Sequence, residues 1–195
     1  MNFKNYVWSF KNCLPLNFCD DLVKYGNGIR ESQATVHGNY SGKQLEKQRI
    51  SHVAWLNDWW IWRHMHPCVN LANENAGWNF EHHSRENMQF TKYKLNGHYD
   101  WHCDANTEPY NDINTPHHIG RIRKLSMTIP LVDGSEYEGG DFMYKLPTGE
   151  EIVVEEARTK GSVIVFPSFV QHKVAPVTSG TRYSLVCWIL GWPFK

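Results

Sequence analysis

The stretch "GSVIVFPSFVQHKVAPVTSGTRYSLVCWILGW", residues 161–192, decides how the chain should fold. It holds two apolar runs, "GSVIVFP" and "TRYSLVCWILGW", rich in β-branched and aromatic residues and bounded by glycine, proline and threonine. Runs this short and this sharply punctuated read as strands. Working back from them, "EEIVVEEA" (150–157), "GGDFMYKL" (139–146), "RKLSMTIPLV" (123–132) and "MQFTKYKL" (88–95) have the same texture, so the β-rich part begins near residue 87. Many short strands at close spacing predict an antiparallel sandwich or barrel, since a parallel sheet would alternate its strands with helices. The expected fold class is α+β, mainly β: a double-stranded β-helix, or jelly roll, behind an N-terminal helical support layer.

The first third reads as helical. Asn17 is placed to N-cap a short helix through "FCDDLVKYG", with Gly26 as its stop. Asn57 or Asp58 caps a second, "WWIWRHMHPCVNLANENAG", which Gly77 ends and in which Pro67 predicts a kink or a break. The polar stretch between them, "NGIRESQATVHGNYSGKQLEKQR", reads as a surface excursion. The expectation is one domain over residues 1–195, with helical support in 1–86 and the jelly-roll core in 87–195. The 16 residues "ANTEPYNDINTPHHIG" form the longest loop of the β region, a lid or binding loop in one reading and a plain mobile loop in the other.

Composition narrows the function classes. With 20 basic and 20 acidic residues in 195, the formal net charge is zero, and no long Lys/Arg run marks a nucleic-acid or anionic-membrane partner. The five cysteines are scattered and form no Cys-x-x-Cys pair, which indicates neither a disulfide framework nor a structural zinc site and suggests a reducing compartment. No stretch approaches the length of a membrane span, and the amino terminus lacks a signal-peptide pattern, so a soluble, cytoplasmic protein is expected.

Chemistry gathers around "GHYDWHCD" (97–104), which offers two His-x-Asp pairs, His98/Asp100 and His102/Asp104. A single His-x-Asp is a weak signal, since random placement of these residues gives roughly half an occurrence in a chain of this composition. Strand alternation does not choose between the pairs, because 98, 100, 102 and 104 would share one face.

The wider pattern does choose. Tyr93, Gly97, Tyr99, His102 and Asp104 stand in the phase of Y-x-x-(x)-G-x-Y-x-x-H-x-D, and "FVQHKVAPVTSGTRYS" supplies His172 with Arg182-x-Ser184 ten residues beyond it. Together these resemble the prolyl-4-hydroxylase-like, PKHD-type Fe(II)/2-oxoglutarate-dependent dioxygenases. "YEGGDFMY" (137–144) is similar to that family's strand-opening glycine pair, and "RISHVAWL" (49–56) and "ANENAGWNF" (72–80) to its helical support region. The resemblance implies Fe(II) held by His102, Asp104 and His172. It implies 2-oxoglutarate anchored through its far carboxylate by Arg182, with Ser184 assisting and Tyr93 and Tyr99 lining the pocket. It further implies O2 as oxidant, ascorbate as a reductant, and hydroxylation of an unactivated C–H bond, first of all in a prolyl residue of a peptide or protein, with release of succinate and CO2. Two imidazoles and one carboxylate leave coordination positions open, as a non-haem iron oxygenase needs and a closed structural site does not.

Plainer readings stand beside these. His102 and Asp104 would otherwise be a hydrogen-bonded strand pair, Arg182 a surface ion-pair partner, and Tyr93 and Tyr99 core residues. His98 and Asp100 read as surroundings of the site, His117 and His118 as exposed, and His82 and His83 as a polar edge. Cys103 is expected to be a small buried hydrophobe. The nine tryptophans read chiefly as core. Two other functions compete: a non-catalytic, metal-stabilised jelly-roll binding module, and a cupin-type metalloenzyme that needs no 2-oxoglutarate.

Overall fold

The computed structural model describes residues 5–35, 42–106 and 108–195. Of the ten strands described from residue 88 onward, Tyr137–Gly139 and Val177–Gly180 pair with each other, and the other eight build two sheets, in chain order Met88–Tyr93, His98–His102, Ile122–Pro130, Phe142–Lys145, Glu151–Val153, Val163–Pro167, His172–Val174 and Arg182–Gly191. The first, eighth, third and sixth of them are neighbours in a larger antiparallel sheet, and the second, seventh, fourth and fifth in a smaller one. This interleaving of two sheets is the jelly roll expected from the sequence.

The central strands of the larger sheet are buried on both faces. Along Val163–Pro167, Val163 and Val165 join a core shared with the helices, while Ile164 and Phe166 face a second core between the sheets. Helix α1 (Leu16–Asn27) gives Phe18, Cys19 and Leu22 to the first core, and helix α3 (Trp59–Asn75) gives Ile61, Met65, Val69 and Ala72. The helical support layer is therefore present, and each fully buried side chain of this size contributes about 1.5–3 kcal/mol.

Several local expectations are corrected. Helix α1 begins at Leu16 after Pro15, so Asn17 lies in its first turn and does not cap it. It runs past Gly26 to Asn27, and Gly26 is a packing residue: a Cβ there would sit 2.6 Å from the Phe90 ring. Pro67 does not interrupt α3, because it lies on the exposed face while Ile61, Met65, Cys68 and Val69 hold the opposite face against the sheet. The residues before 87 also contribute strands: Trp8–Phe10, Ser32–Gln33 and His52–Leu56 extend the larger sheet, and Arg49–Ile50 extends the smaller. "RISHVAWL" is thus strand and not helix. Within the supposed surface excursion lie Ser32–Gln33 and a short helix α2 (Lys43–Gln48), while residues 36–41 fall outside the described part.

Candidate active site

The pairing of His98–His102 with His172–Val174 builds the site. His172 stands opposite His102, but Val174 stands opposite Tyr99, so one extra residue bulges from the first of these strands. The bulge breaks simple alternation. It turns Tyr99 onto the face of His102, where the two rings stack with centroids 3.4 Å apart and planes 12° apart. His98 is carried away, and its ring nitrogens lie against the backbone carbonyls of Asn96 (2.9 Å) and Lys47 (3.0 Å). Asp100 is exposed and accepts from the backbone N–H of Trp101. The expectation that 98, 100, 102 and 104 share one face fails for this reason.

Asp104, just beyond the strand, completes a compact group. Its Oδ1 is 3.7 Å from His102 Nε2 and its Oδ2 is 3.5 Å from His172 Nε2. Each histidine has its Nδ1 against a carbonyl, that of Asp100 for His102 (2.7 Å) and that of Val170 for His172 (2.9 Å). A carbonyl only accepts, so each Nδ1 carries a proton, and each Nε2 is the ring nitrogen turned toward the carboxylate. Among the described residues this is the one set of three or more His, Cys, Asp or Glu side chains with ligand atoms within 4.8 Å of one another. Burial, and then the neighbouring His172, push His102 down to about 3, so its ring is neutral at ordinary pH. Burial works against charge on Asp104, but His172, His102 and Arg123 outweigh it and hold the carboxyl at about 2. Neutral imidazoles and an ionised carboxylate are the forms that ligate a cation.

A cavity between the sheets joins this group to Arg182, Ser184, Tyr93 and Tyr99. Arg182 is only 1% exposed; it donates to Ser184 Oγ at 3.3 Å, and its guanidinium lies 5.4 Å from the Tyr93 ring centroid. Its Nε and Nη2 have no partner among the described residues. A buried guanidinium left half unsatisfied is costly and calls for an anion with planar, two-oxygen geometry. The glycine pair of "YEGGDFMY" makes room for it. Gly139 and Gly140 both have φ +66°, and a Cβ on Gly140 would meet Arg182 Cδ at 3.1 Å.

Other residues of the site are not visible in the motif. Arg49, 5% exposed, lies 4.5 Å from the Tyr99 ring centroid and donates to Ser51 Oγ, forming a three-layer stack of Arg49, Tyr99 and His102. Arg123 pairs doubly with Glu86 (2.6 and 2.8 Å), reaches the Asp104 carbonyl at 3.4 Å and covers the Trp188 ring at 4.0 Å. A wider cleft outside the cavity is lined by Ser32, Thr35, Val53, Trp55 and Arg123 and shares Arg49, Tyr99 and Asp104 with it. The sequence signal for Arg49 and Arg123 was a basic residue opening an apolar strand, which is unspecific.

Three expectations about the surroundings change. Cys103 is exposed, because the strand has ended at His102, and its thiol donates to the Phe169 carbonyl. His118 is buried against the Arg85 carbonyl, while His117 is exposed. Of the tryptophans, Trp78 and Trp188 are core residues, whereas Trp55, Trp59 and Trp192 are exposed. His83 pairs with Glu81 on a polar edge.

Comparison with known proteins agrees with this geometry. The family model of the 2OG-Fe(II) oxygenase superfamily matches residues 88–190. A PKHD-type hydroxylase of Parvibaculum lavamentivorans is 45% identical over 65 residues, 33% of this chain and 28% of the relative. A PKHD-type hydroxylase of Alteromonas mediterranea is 36% identical over 101 residues, 51% of this chain and 41% of the relative. The chain thus spans less than half the length of these curated relatives. A Pseudomonas putida prolyl-4-hydroxylase shares the fold with a TM-score of 0.73 at 20% identity, over 95% of this chain and 93% of that one. A Trichoplax adhaerens prolyl hydroxylase, solved with a hypoxia inducible factor peptide fragment, gives 0.70 at 16% identity, over 95% and 84%. Since the matching family model covers more than half of the chain, from the first core strand to the last, the protein belongs to the 2OG-Fe(II) oxygenase superfamily.

Proposed function

We propose that the chain is an Fe(II)- and 2-oxoglutarate-dependent dioxygenase that hydroxylates an unactivated C–H bond in a peptide or protein, a prolyl residue being the first substrate to test. His102, Asp104 and His172 would hold the iron, and Arg182 with Ser184 the far carboxylate of the cosubstrate. The observation that carries this reading is the buried, half-unpaired Arg182 facing the same cavity as the His-Asp-His group. A metal-stabilised scaffold has no use for such a cation, and neither has a metalloenzyme without a dicarboxylate cosubstrate.

Bound Fe(II), 2-oxoglutarate and O2 would supply the oxidising chemistry; the chain orients the reactants and excludes water. Tyr99, stacked between Arg49 and His102, fixes the imidazole plane, and burial pushes its phenol up to about 12, so it stays neutral. The Arg123–Glu86 pair positions the backbone around Asp104. The outer cleft, with Trp55 half exposed at its edge, is open enough for a polypeptide segment. Two of the structural neighbours are prolyl hydroxylases, which supports the substrate class. Ascorbate as a re-reductant and a cytoplasmic setting belong to the same proposal.

The test is succinate formation from 2-oxoglutarate by the Fe(II)-loaded protein in air, with a panel of proline-containing peptides. Turnover should fall at least about 100-fold in the His102→Ala/Asp104→Ala protein and survive in the His98→Ala/Asp100→Ala protein. Equal loss in both, or a thermal shift with metal that 2-oxoglutarate leaves unchanged, would remove this assignment in favour of the scaffold.

A further inference from the structure

Apart from the residues that line the cavity, at the inner face of the helical layer, two thiols meet. Cys13 lies in the turn between the edge strand Trp8–Phe10 and helix α1, and Cys68 on helix α3. They are 55 residues apart in sequence, yet their sulfurs are 3.1 Å apart. Cys13 is exposed and Cys68 buried. The other contact of the Cys68 thiol is a long one, 4.0 Å, to the His64 carbonyl within its own helix.

We propose that Cys13 and Cys68 are an oxidation site: a hydroperoxide converts them into a disulfide that staples the amino-terminal turn to helix α3. The sulfurs must close by about 1 Å to reach the 2.05 Å bond length, a shift within reach of side-chain rotation at Cys13, which lies in a turn. The roles follow from exposure. The exposed Cys13 attacks the peroxide, its sulfur takes one oxygen to become a sulfenic acid, and the O–O bond breaks with release of water. Cys68 then attacks the Cys13 sulfur, the S–O bond breaks, and the hydroxide leaves as a second water with the Cys68 proton. In sum, two thiols and one hydrogen peroxide give one disulfide and two waters, the sulfurs being oxidised and the peroxide reduced. Burial pushes the Cys68 thiol up to about 12, so it stays protonated and does not compete for peroxide; its attack on the Cys13 sulfenic acid relies on the 3.1 Å proximity of the two sulfurs.

The consequence is mechanical. The bond would close a loop running from residue 13 to residue 68, which contains Arg49 and the strand His52–Leu56 with Val53 and Trp55 of the outer cleft. Closing a loop of that length restricts the unfolded chain enough to raise Tm by roughly 10 °C in a protein of this size.

The experiment treats the purified full chain with stoichiometric hydrogen peroxide, blocks remaining thiols by alkylation, and maps it under non-reducing conditions by mass spectrometry. The expected result is a peptide pair joining Cys13 to Cys68, lighter by about 2 Da than the reduced peptides, released by dithiothreitol. It should be accompanied by the rise in Tm and be absent in Cys13→Ser. Cys13→Ser alters an exposed residue and keeps the fold, so the comparison does not depend on a Cys68 variant. A Cys13 found as free thiol or sulfinic acid while Cys68 remains alkylatable after unfolding would overturn the proposal. So would a cross-linked protein whose Tm does not move.

Discussion

Arg182 is the residue whose environment says most, because a guanidinium at 1% exposure with two nitrogens unpaired is a charge folded where nothing in the described chain neutralises it. Replacing such a group by an apolar side chain of similar length removes the desolvation cost together with the function. Arg182→Met should therefore leave Tm of the cosubstrate-free protein unchanged or higher, while raising KM for 2-oxoglutarate by about 30-fold or more. Differential scanning fluorimetry with and without 2-oxoglutarate separates these effects; a drop of several degrees without cosubstrate would mean that Arg182 is an ordinary structural residue. The same dicarboxylate should stabilise the wild-type protein and not the variant. That His102 and Asp104, and His172, Arg182 and Ser184, would gather round one cavity was foreshadowed by two motifs, each fixed within about a dozen residues. Arg49 was not, since it reaches the site by pairing with Tyr99 from a strand 50 residues away, a distance no local pattern encodes.

At the scale of elements, the turn that opens Phe142–Lys145 shapes the anchor more than its own sequence suggests. Gly140→Ala pays twice: for a φ of +66° that side chains avoid, and for a Cβ 3.1 Å from Arg182 Cδ and 3.0 Å from Val177. Gly149, in the hairpin that follows, has a φ of +89° with nothing within 4 Å of its missing Cβ, and so serves as the control. Both alanine variants should lose about 1–3 kcal/mol in urea unfolding, but only Gly140→Ala should raise KM for 2-oxoglutarate. Equal KM values would mean that the turn does not position the guanidinium. The strands themselves were readable because short runs rich in β-branched and aromatic residues are cut off by glycine and proline, whereas the bulge at Tyr99 was not. A bulge is a difference in register between two chain segments, 99–102 against 172–174, and neither segment shows it alone. Helix ends were misjudged for a related reason. Gly26 is required by Phe90 of the sheet, and Pro67 is tolerated because packing on one face outweighs a lost hydrogen bond on the other.

For the whole molecule, the metal group makes stability depend on pH in a direction that burial decides. His102 is pushed from 6.5 down to about 3, so between those values the unfolded chain binds a proton that the folded one refuses. Its contribution is fully present above pH 6.5 and is lost as pH falls toward 3. Asp104, held at about 2 instead of 3.8, adds a loss of the same sign at still lower pH. From pH 7 to pH 5, His102 alone should cost the metal-free protein about 2 kcal/mol, at 1.36 kcal/mol per pH unit below 6.5. Urea unfolding in the presence of a chelator measures this directly. The buried His118 and the half-buried His82 are depressed as well, both chiefly by burial, so the total slope is shared. The His102→Gln protein isolates the part due to the site: it should lose correspondingly less between pH 7 and 5. Parallel pH profiles for the two proteins would mean that His102 takes up its proton without unfolding, and that the cavity between the sheets admits water to it in the metal-free state.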